Sequence, residues 1–227
     1  MRYLVLEEKL KTDYSTLVPH YSKPYVIPSV YSIDEIKRIE NSVDISTVQG
    51  KRDYAIILFA SRMGLRSSDI VRLKIEDIKE KDEINIIQQK TGKALHLPLI
   101  EEVSGAIDDY LSVRPSSMAK EIFINVYAPY NPISTGTIRS LLKKYIAAAD
   151  IDVGNRRKGP HALRSSLASS MVNDDVSYEI VRKVLGHSSN NAIKRYARID
   201  VEKLRQYCLE PPQVSGRFEA FLKGEVI

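Results

Sequence analysis

The sequence predicts a mostly helical domain carrying a small antiparallel β-sheet. Two patterns and one composition lead there. Apolar residues recur at helical spacing through most of the chain, and strict alternation is confined to one stretch, Glu83-Ile84-Asn85-Ile86 followed by Leu95, Leu97 and Leu99. The composition, 43% hydrophobic and 28% charged over 227 residues, is that of a folded chain long enough to bury a core without disulfides or metals. The same composition excludes several classes. No apolar run approaches the length of a membrane span, and the first 15 residues lack a secretory signal pattern. A single cysteine, Cys208, forms no internal bridge, suits a reducing cytoplasm and excludes cysteine-rich zinc modules.

The elements follow in order. Residues 1–28, with Pro19, Pro24 and Pro28 among tyrosines, are expected to be an irregular tail or linker. Ser32-Ile33-Asp34-Glu35 is a capping box that opens a helix through Ile36 and Ile39. A stronger helix is expected from about Arg52 to Met63, with Tyr54, Ile57, Leu58 and Ser61 on one face and Gly64 ending it. Ser67 and Ser68 are expected to cap a short helix through Leu73. The alternating stretch is a hairpin turning at Lys90-Thr91-Gly92-Lys93, and Ile122-Phe123-Ile124 is expected to add a third strand. Helices are expected at about 101–113, 135–149, 161–172, 177–185, 190–198 and 201–208. Ser134, Ser177, Ser189 and Asp200 serve as N-caps and Gly186 as a C-terminal stop.

Charge is distributed unevenly. The chain carries a formal +5, yet residues 139–205 hold 14 Lys/Arg against 7 Asp/Glu, leaving the remainder slightly acidic. A basic stretch of this kind suits a phosphate-bearing partner, and it also suits a solvated helical surface.

Four places in the chain hold residues that phosphoryl transfer requires, and each also has an ordinary structural role available. Arg66, in Gly64-Leu65-Arg66-Ser67-Ser68-Asp69, is a cation between two helices, where a helix C-terminus would also favour it. Lys90 starts the hairpin turn, a common place for a solubilising lysine. His161 and Arg164 lie at spacing i, i+3 in a helix opened by Pro160; the structural alternative is a buried histidine beside a surface arginine. In the first turn of that helix the free N–H groups favour an anion. His187 follows Gly186 at a helix end, where a C-cap histidine is ordinary. Nine residues later Tyr196 stands among Lys194, Arg195 and Arg198, either as a snorkelling surface residue or as a phenol whose pKa a cationic field lowers.

Taken in order, the series Arg, hairpin Lys, His-x-x-Arg, Gly-His and Tyr resembles the tyrosine recombinase (phage integrase) family. So does the wording of MGLRSSDIVRLKIEDI, QQKTGKALHLPL, GPHALRSSLAS and VLGHSSNNAIKRYARID. The resemblance spans roughly residues 30–205 and is nearest to integrases and transposases of bacterial mobile elements. It implies the α+β catalytic-domain fold shared with type IB topoisomerases, with the domain over 29–210 and a C-terminal tail over 211–227. It further implies cleavage and rejoining of double-stranded DNA through a 3′-phosphotyrosyl bond, without metal, cofactor or small-molecule substrate. By the same resemblance Tyr196 is the nucleophile, Arg66 and Arg164 hold the non-bridging oxygens, and His161 binds the phosphate or takes the phenol proton. Lys90 protonates the leaving 5′-oxygen, His187 donates another hydrogen bond, and Asp69 orients Arg66. Family members act as homo-oligomers, tetramers on DNA, and a tail bearing Phe218, Phe221 and Leu222 is placed to dock on a neighbouring subunit.

Two departures stand out. Ser165 occupies a place where many relatives have histidine, and residues 1–28 are too short for the helical domain that closes a clamp on DNA in the family. Type IB topoisomerase activity and a non-catalytic DNA-binding role are the alternatives; the intact Tyr196 and both arginines argue against the second. No compact carboxylate set supports a two-metal nuclease. His20 and His96 are expected to be structural or solvent-facing.

Overall fold

The computed structural model describes residues 2–12, 14–17, 29–79 and 83–186. Eight helices and three strands occur in the order α1 (Arg2–Leu6), α2 (Ile33–Asn41), α3 (Val48–Ser61), α4 (Ser67–Ile70), β1 (Ile78–Lys79), β2 (Glu83–Ile87), β3 (Ala94–Pro98), α5 (Glu101–Val113), α6 (Thr135–Ala148), α7 (Pro160–Asn173) and α8 (Tyr178–Leu185) among the described residues. The mostly helical class with a small antiparallel sheet is therefore correct. The helices expected at 190–198 and 201–208, their caps Ser189 and Asp200, and the apolar tail face at Phe218, Phe221 and Leu222 lie outside the described residues.

The architecture is built around α3. Thr47 caps it by accepting from the Gly50 N–H at 2.9 Å, so the helix starts four residues earlier than its apolar pattern indicates. Every residue from Ala55 to Ser61 is buried, and α2, α5, α6 and α7 all pack against the helix. The expectation of a single buried face was too narrow: a helix enclosed on all sides needs no amphipathic stripe. Phe59 meets the ring of Phe123 edge-on at 5.9 Å, and Phe123 stacks on Tyr110 at 5.8 Å. This joins α3, α5 and the segment 122–124 in one core.

The sheet has strand order β1-β2-β3, all antiparallel, with Ile84, Ile86, Leu95 and Leu97 turned into the core. His96 is exposed on the other face, paired with Asn85. The third strand is Ile78–Lys79, not Ile122-Phe123-Ile124. That buried segment gives its N–H and C=O groups to different partners, Ile122 N–H to Leu73 on one side and Asn125 to Asn131 on the other, so no ladder forms.

Two local expectations change as well. Helix α1 and a 3₁₀ turn at Tyr14–Leu17 lie within the stretch expected to be irregular, whose prolines all fall beyond them. Helix α4 ends at Ile70, and its N-cap is Arg66 without a side-chain cap bond. By contrast, the capping box at Ser32, the caps at Ser134 and Ser177 and the helix stop at Gly186 (φ 57°) are as expected, with Ser134 adding a reciprocal bond to Thr137.

Candidate active site

Four chain segments meet past the C-terminal end of α3: the Gly64–Arg66 turn, the β2–β3 hairpin tip, the start of α7 and the end of α8. Gly64 (φ +62°) makes the convergence possible. A Cβ there would stand 2.8 Å from Leu185 Cδ2 and 2.9 Å from Leu167 Cδ2, and a left-handed backbone disfavours other residues in any case.

The two arginines stitch these segments through backbone carbonyls. Arg164 is 2% exposed, and its guanidinium donates to the Gly64 and Leu185 carbonyls, tying the end of α3 to the end of α8. Arg66 donates from Nη2 to the Gly186 carbonyl at 3.2 Å. The pair therefore brackets the last turn of α8, immediately before His187 in the chain. His187 and the proposed nucleophile Tyr196 lie outside the described residues.

Asp69, 4% exposed, stands with Oδ2 3.9 Å from Arg66 Nη1, an ion pair without a hydrogen bond. Its Oδ1 accepts the Gln89 N–H at 3.0 Å, so one carboxylate links Arg66 to the hairpin that carries Lys90. The hairpin tip is closed by Gln88 N–H to the Lys93 carbonyl at 2.9 Å and Gly92 N–H to the Gln88 carbonyl at 2.8 Å. Lys90 is exposed on it.

His161 falls in the first turn of α7, after N-cap Gly159 and Pro160, as the sequence indicates. The structural alternative for this pair is reversed: the histidine is exposed and the arginine is buried. Partial removal from solvent holds the His161 imidazole below its ordinary pKa, and the charges of Arg164, Arg157, Lys90 and Arg66 lower it further. Both effects favour the neutral imidazole. Three of those cations, Arg66, Lys90 and Arg164, are the ones the sequence selected.

The fourth, Arg157, was missed, although the run Arg156-Arg157-Lys158 just before His161 signalled it. Its backbone is pinned at both ends: its N–H donates to Ser29 Oγ at 3.0 Å, and its carbonyl accepts from Tyr31 Oη at 3.0 Å. Neighbouring Arg156 makes a two-pronged pair with Glu35 at 2.7 and 2.8 Å and lies 4.6 Å over the Tyr31 ring. The chain entering α2 thus holds the loop that delivers His161. Such an assembly of forked and point cations around a neutral imidazole is suited to an oxyanion, phosphate above all.

The pattern described as the phage integrase family matches residues 30–203. A Sinorhizobium fredii protein named integrase/recombinase y4gC is 33% identical over 189 residues, covering 82% of this chain and 97% of its own length. Another from that organism, y4rA, is 34% identical over 188 residues, 82% of this chain but 45% of its own length. The tyrosine recombinase XerC of Caldanaerobacter subterraneus is 32% identical over 79% of this chain and 50% of its own, so the chain spans about half of these two relatives. Among solved structures, XerA recombinase superposes with a TM-score of 0.67 at 24% identity, covering 85% of this chain and 66% of its own. A lambda integrase dimer bound to a core site gives 0.70 at 19% identity, covering 94% and 59%. At those identities the likeness is one of fold.

Proposed function

The chain belongs to the phage integrase family, and from that premise we propose that it is a site-specific recombinase that cuts and rejoins double-stranded DNA. The catalytic unit is residues 29–210. The Tyr196 phenolate attacks the scissile phosphorus, the bond to the 5′-oxygen breaks, and a 3′-phosphotyrosyl ester forms. Attack by a 5′-hydroxyl reverses the step, so the phosphodiester is restored without an external energy source. Arg66 and Arg164 offer N–H groups to the non-bridging oxygens, where charge builds as phosphorus becomes five-coordinate. Neutral His161 binds the phosphate or accepts the phenol proton, and Lys90 gives a proton to the leaving 5′-oxygen. His187 adds a further donor, and Asp69 sets the Arg66 plane.

The observation that carries this reading is the convergence of Arg66 and Arg164 on the last turn of α8, with Asp69 tying Arg66 to the hairpin that bears Lys90, from segments up to about a hundred residues apart in sequence. Solvated surface charge has no reason to converge in this way. Solved relatives include a lambda integrase tetramer bound to a Holliday junction, which supports the same kind of assembly on DNA here; the lone Cys208 suits the cytoplasm as the place of action. No described helix is long and apolar enough to cross a membrane.

Covalent trapping tests the proposal. Nicked duplexes, randomised across the core and incubated with the protein in EDTA, are expected to give an SDS-resistant adduct that Tyr196→Phe abolishes. An adduct that persists in Tyr196→Phe, or none across the pool when the chain is fused to a clamp domain, overturns it. In the second case a DNA-binding role remains.

A further inference from the structure

Among the described residues, the buried side-chain polar atoms without a hydrogen-bond partner are Arg66 Nη1, Asp69 Oδ2 and Gln88 Nε2. The first two form the ion pair already described. The third belongs to a residue with no part in the chemistry so far.

Gln88 is 1% exposed and immediately precedes the turn that carries Lys90. Among the described residues, its hydrogen bonds run to that turn. Its N–H and C=O close the tip against Lys93 and Gly92, and its Oε1 accepts from Thr91 Oγ1 at 2.9 Å. The hydroxyl thereby fixes the orientation of the amide and leaves Nε2 as the unpaired end. The amide lies directly beneath Gly186: a Cβ built there would fall 2.2 Å from Nε2 and 2.5 Å from Oε1. A side chain there would displace the amide, and the left-handed backbone (φ 57°) disfavours one in any case.

The placement matters because Lys90 cannot place itself. Its ammonium rides on a long, flexible stem at an exposed position, so its mean location is set by the backbone beneath it. That backbone has two anchors: the Gln89 N–H on Asp69, and the Gln88 amide against the end of α8. Both lead to groups that touch Arg66, directly or through the Gly186 carbonyl.

We propose that Gln88 is a positioning residue, which docks the hairpin tip on Gly186 and so delivers the Lys90 ammonium to the leaving 5′-oxygen. This rests on the reading of Lys90 as the acid. A buried amide with its donor left open is an expensive way to fill space, and an apolar side chain of the same volume would pack there without that cost. A role in packing alone therefore does not account for the residue.

The experiment compares a cleavable duplex recovered from the adduct pool with the same duplex carrying sulfur at the 5′-bridging position. A thiolate departs without a proton, so only defects in proton delivery vanish on the sulfur substrate. Gln88→Met, which keeps the volume and removes the amide, is expected to cleave the oxygen substrate about 10–100-fold more slowly and the sulfur substrate within about threefold of the parent. Thr91→Val, which deletes one hydroxyl, is expected to show a smaller loss with the same rescue. It carries the test alone if Gln88→Met does not fold. Equal losses on both substrates, or none on either, overturn the inference. Lys90→Met separates the two possible failures. If it is rescued by sulfur and the Gln88 and Thr91 variants are not, the acid assignment stands and this inference falls. If Lys90→Met is itself unrescued, the acid assignment has failed and takes the inference with it.

Discussion

Two groups of buried charge sit at opposite ends of α3, and they are finished differently. In its first turns Arg52 donates three times, twice to Asp53 Oδ1 at 2.7 and 3.0 Å and once to the Ile124 carbonyl at 3.0 Å; Tyr145 Oη closes Asp53 Oδ2 at 3.0 Å. Burial, with Asp53 beside it, pushes the Tyr145 phenol well above its ordinary range, so that hydroxyl remains a donor. Past the other end, Arg66 and Asp69 face each other at 3.9 Å with one atom each unpaired, and Gln88 has an open donor nearby. A saturated network holds helices together, whereas an open one is poised for a group that arrives later. Because buried polar groups are costly to leave unmet, the contrast marks where this molecule gives up stability for chemistry.

The contrast is broken most strongly at the saturated end. Asp53→Ala leaves the Arg52 charge buried and the Tyr145 hydroxyl unpaired, and is expected to remove about 3–5 kcal/mol of stability in urea unfolding. Adduct formation per folded molecule should stay near that of the parent. A stable Asp53→Ala protein that cannot form the adduct would show that the two networks are not separate.

The opposite result is expected at the open end. Arg66→Lys retains the charge beside Asp69 but loses the planar fork, so cleavage should fall by about 10²–10³. Unfolding free energy should move by less than about 1 kcal/mol, the worth of the single bond to Gly186. If the main effect of Arg66→Lys is instead on unfolding, the open network is structural.

How much of this was legible in sequence follows the same division. Local chemistry could be read directly: the Ser32 capping box, the Ser134 cap, the Gly92 turn, and Gly64 and Gly186 at helix ends depend on residues a few positions apart. The cations Arg66, Lys90 and Arg164 were visible because their order and spacing are unusual. What escaped depends on contacts distant in the chain. Whether 122–124 joins the sheet is decided by Leu73 and Asn131, and the full enclosure of α3 is decided by four other helices. The His161/Arg164 pair could be placed on a helix but not oriented, since burial of Arg164 comes from carbonyls at Gly64 and Leu185. Gln88 was invisible for a similar reason: its meaning lies in Gly186, nearly a hundred residues away.

The smallest predicted effect concerns the proton that the open end refuses. In the unfolded chain His161 takes up a proton near its ordinary pKa of about 6.5. In the folded protein partial removal from solvent and then the surrounding cations hold the pKa lower, so below about 6.5 the unfolded state binds more protons. This costs the folded state nothing at neutral pH. As the pH falls through that value a penalty develops, and it levels off once the folded pKa is passed. The DNA-free protein is therefore expected to lose more melting temperature between about pH 7.5 and 5.5 than His161→Gln does. Phosphate should reverse the shift, because an anion among the same cations offsets their field and favours the imidazolium. The His161 midpoint, followed by NMR of the imidazole ring, is thus expected to rise on adding duplex DNA. An unmoved midpoint would mean that the cations around His161 face no phosphate, and the open network would then need another ligand.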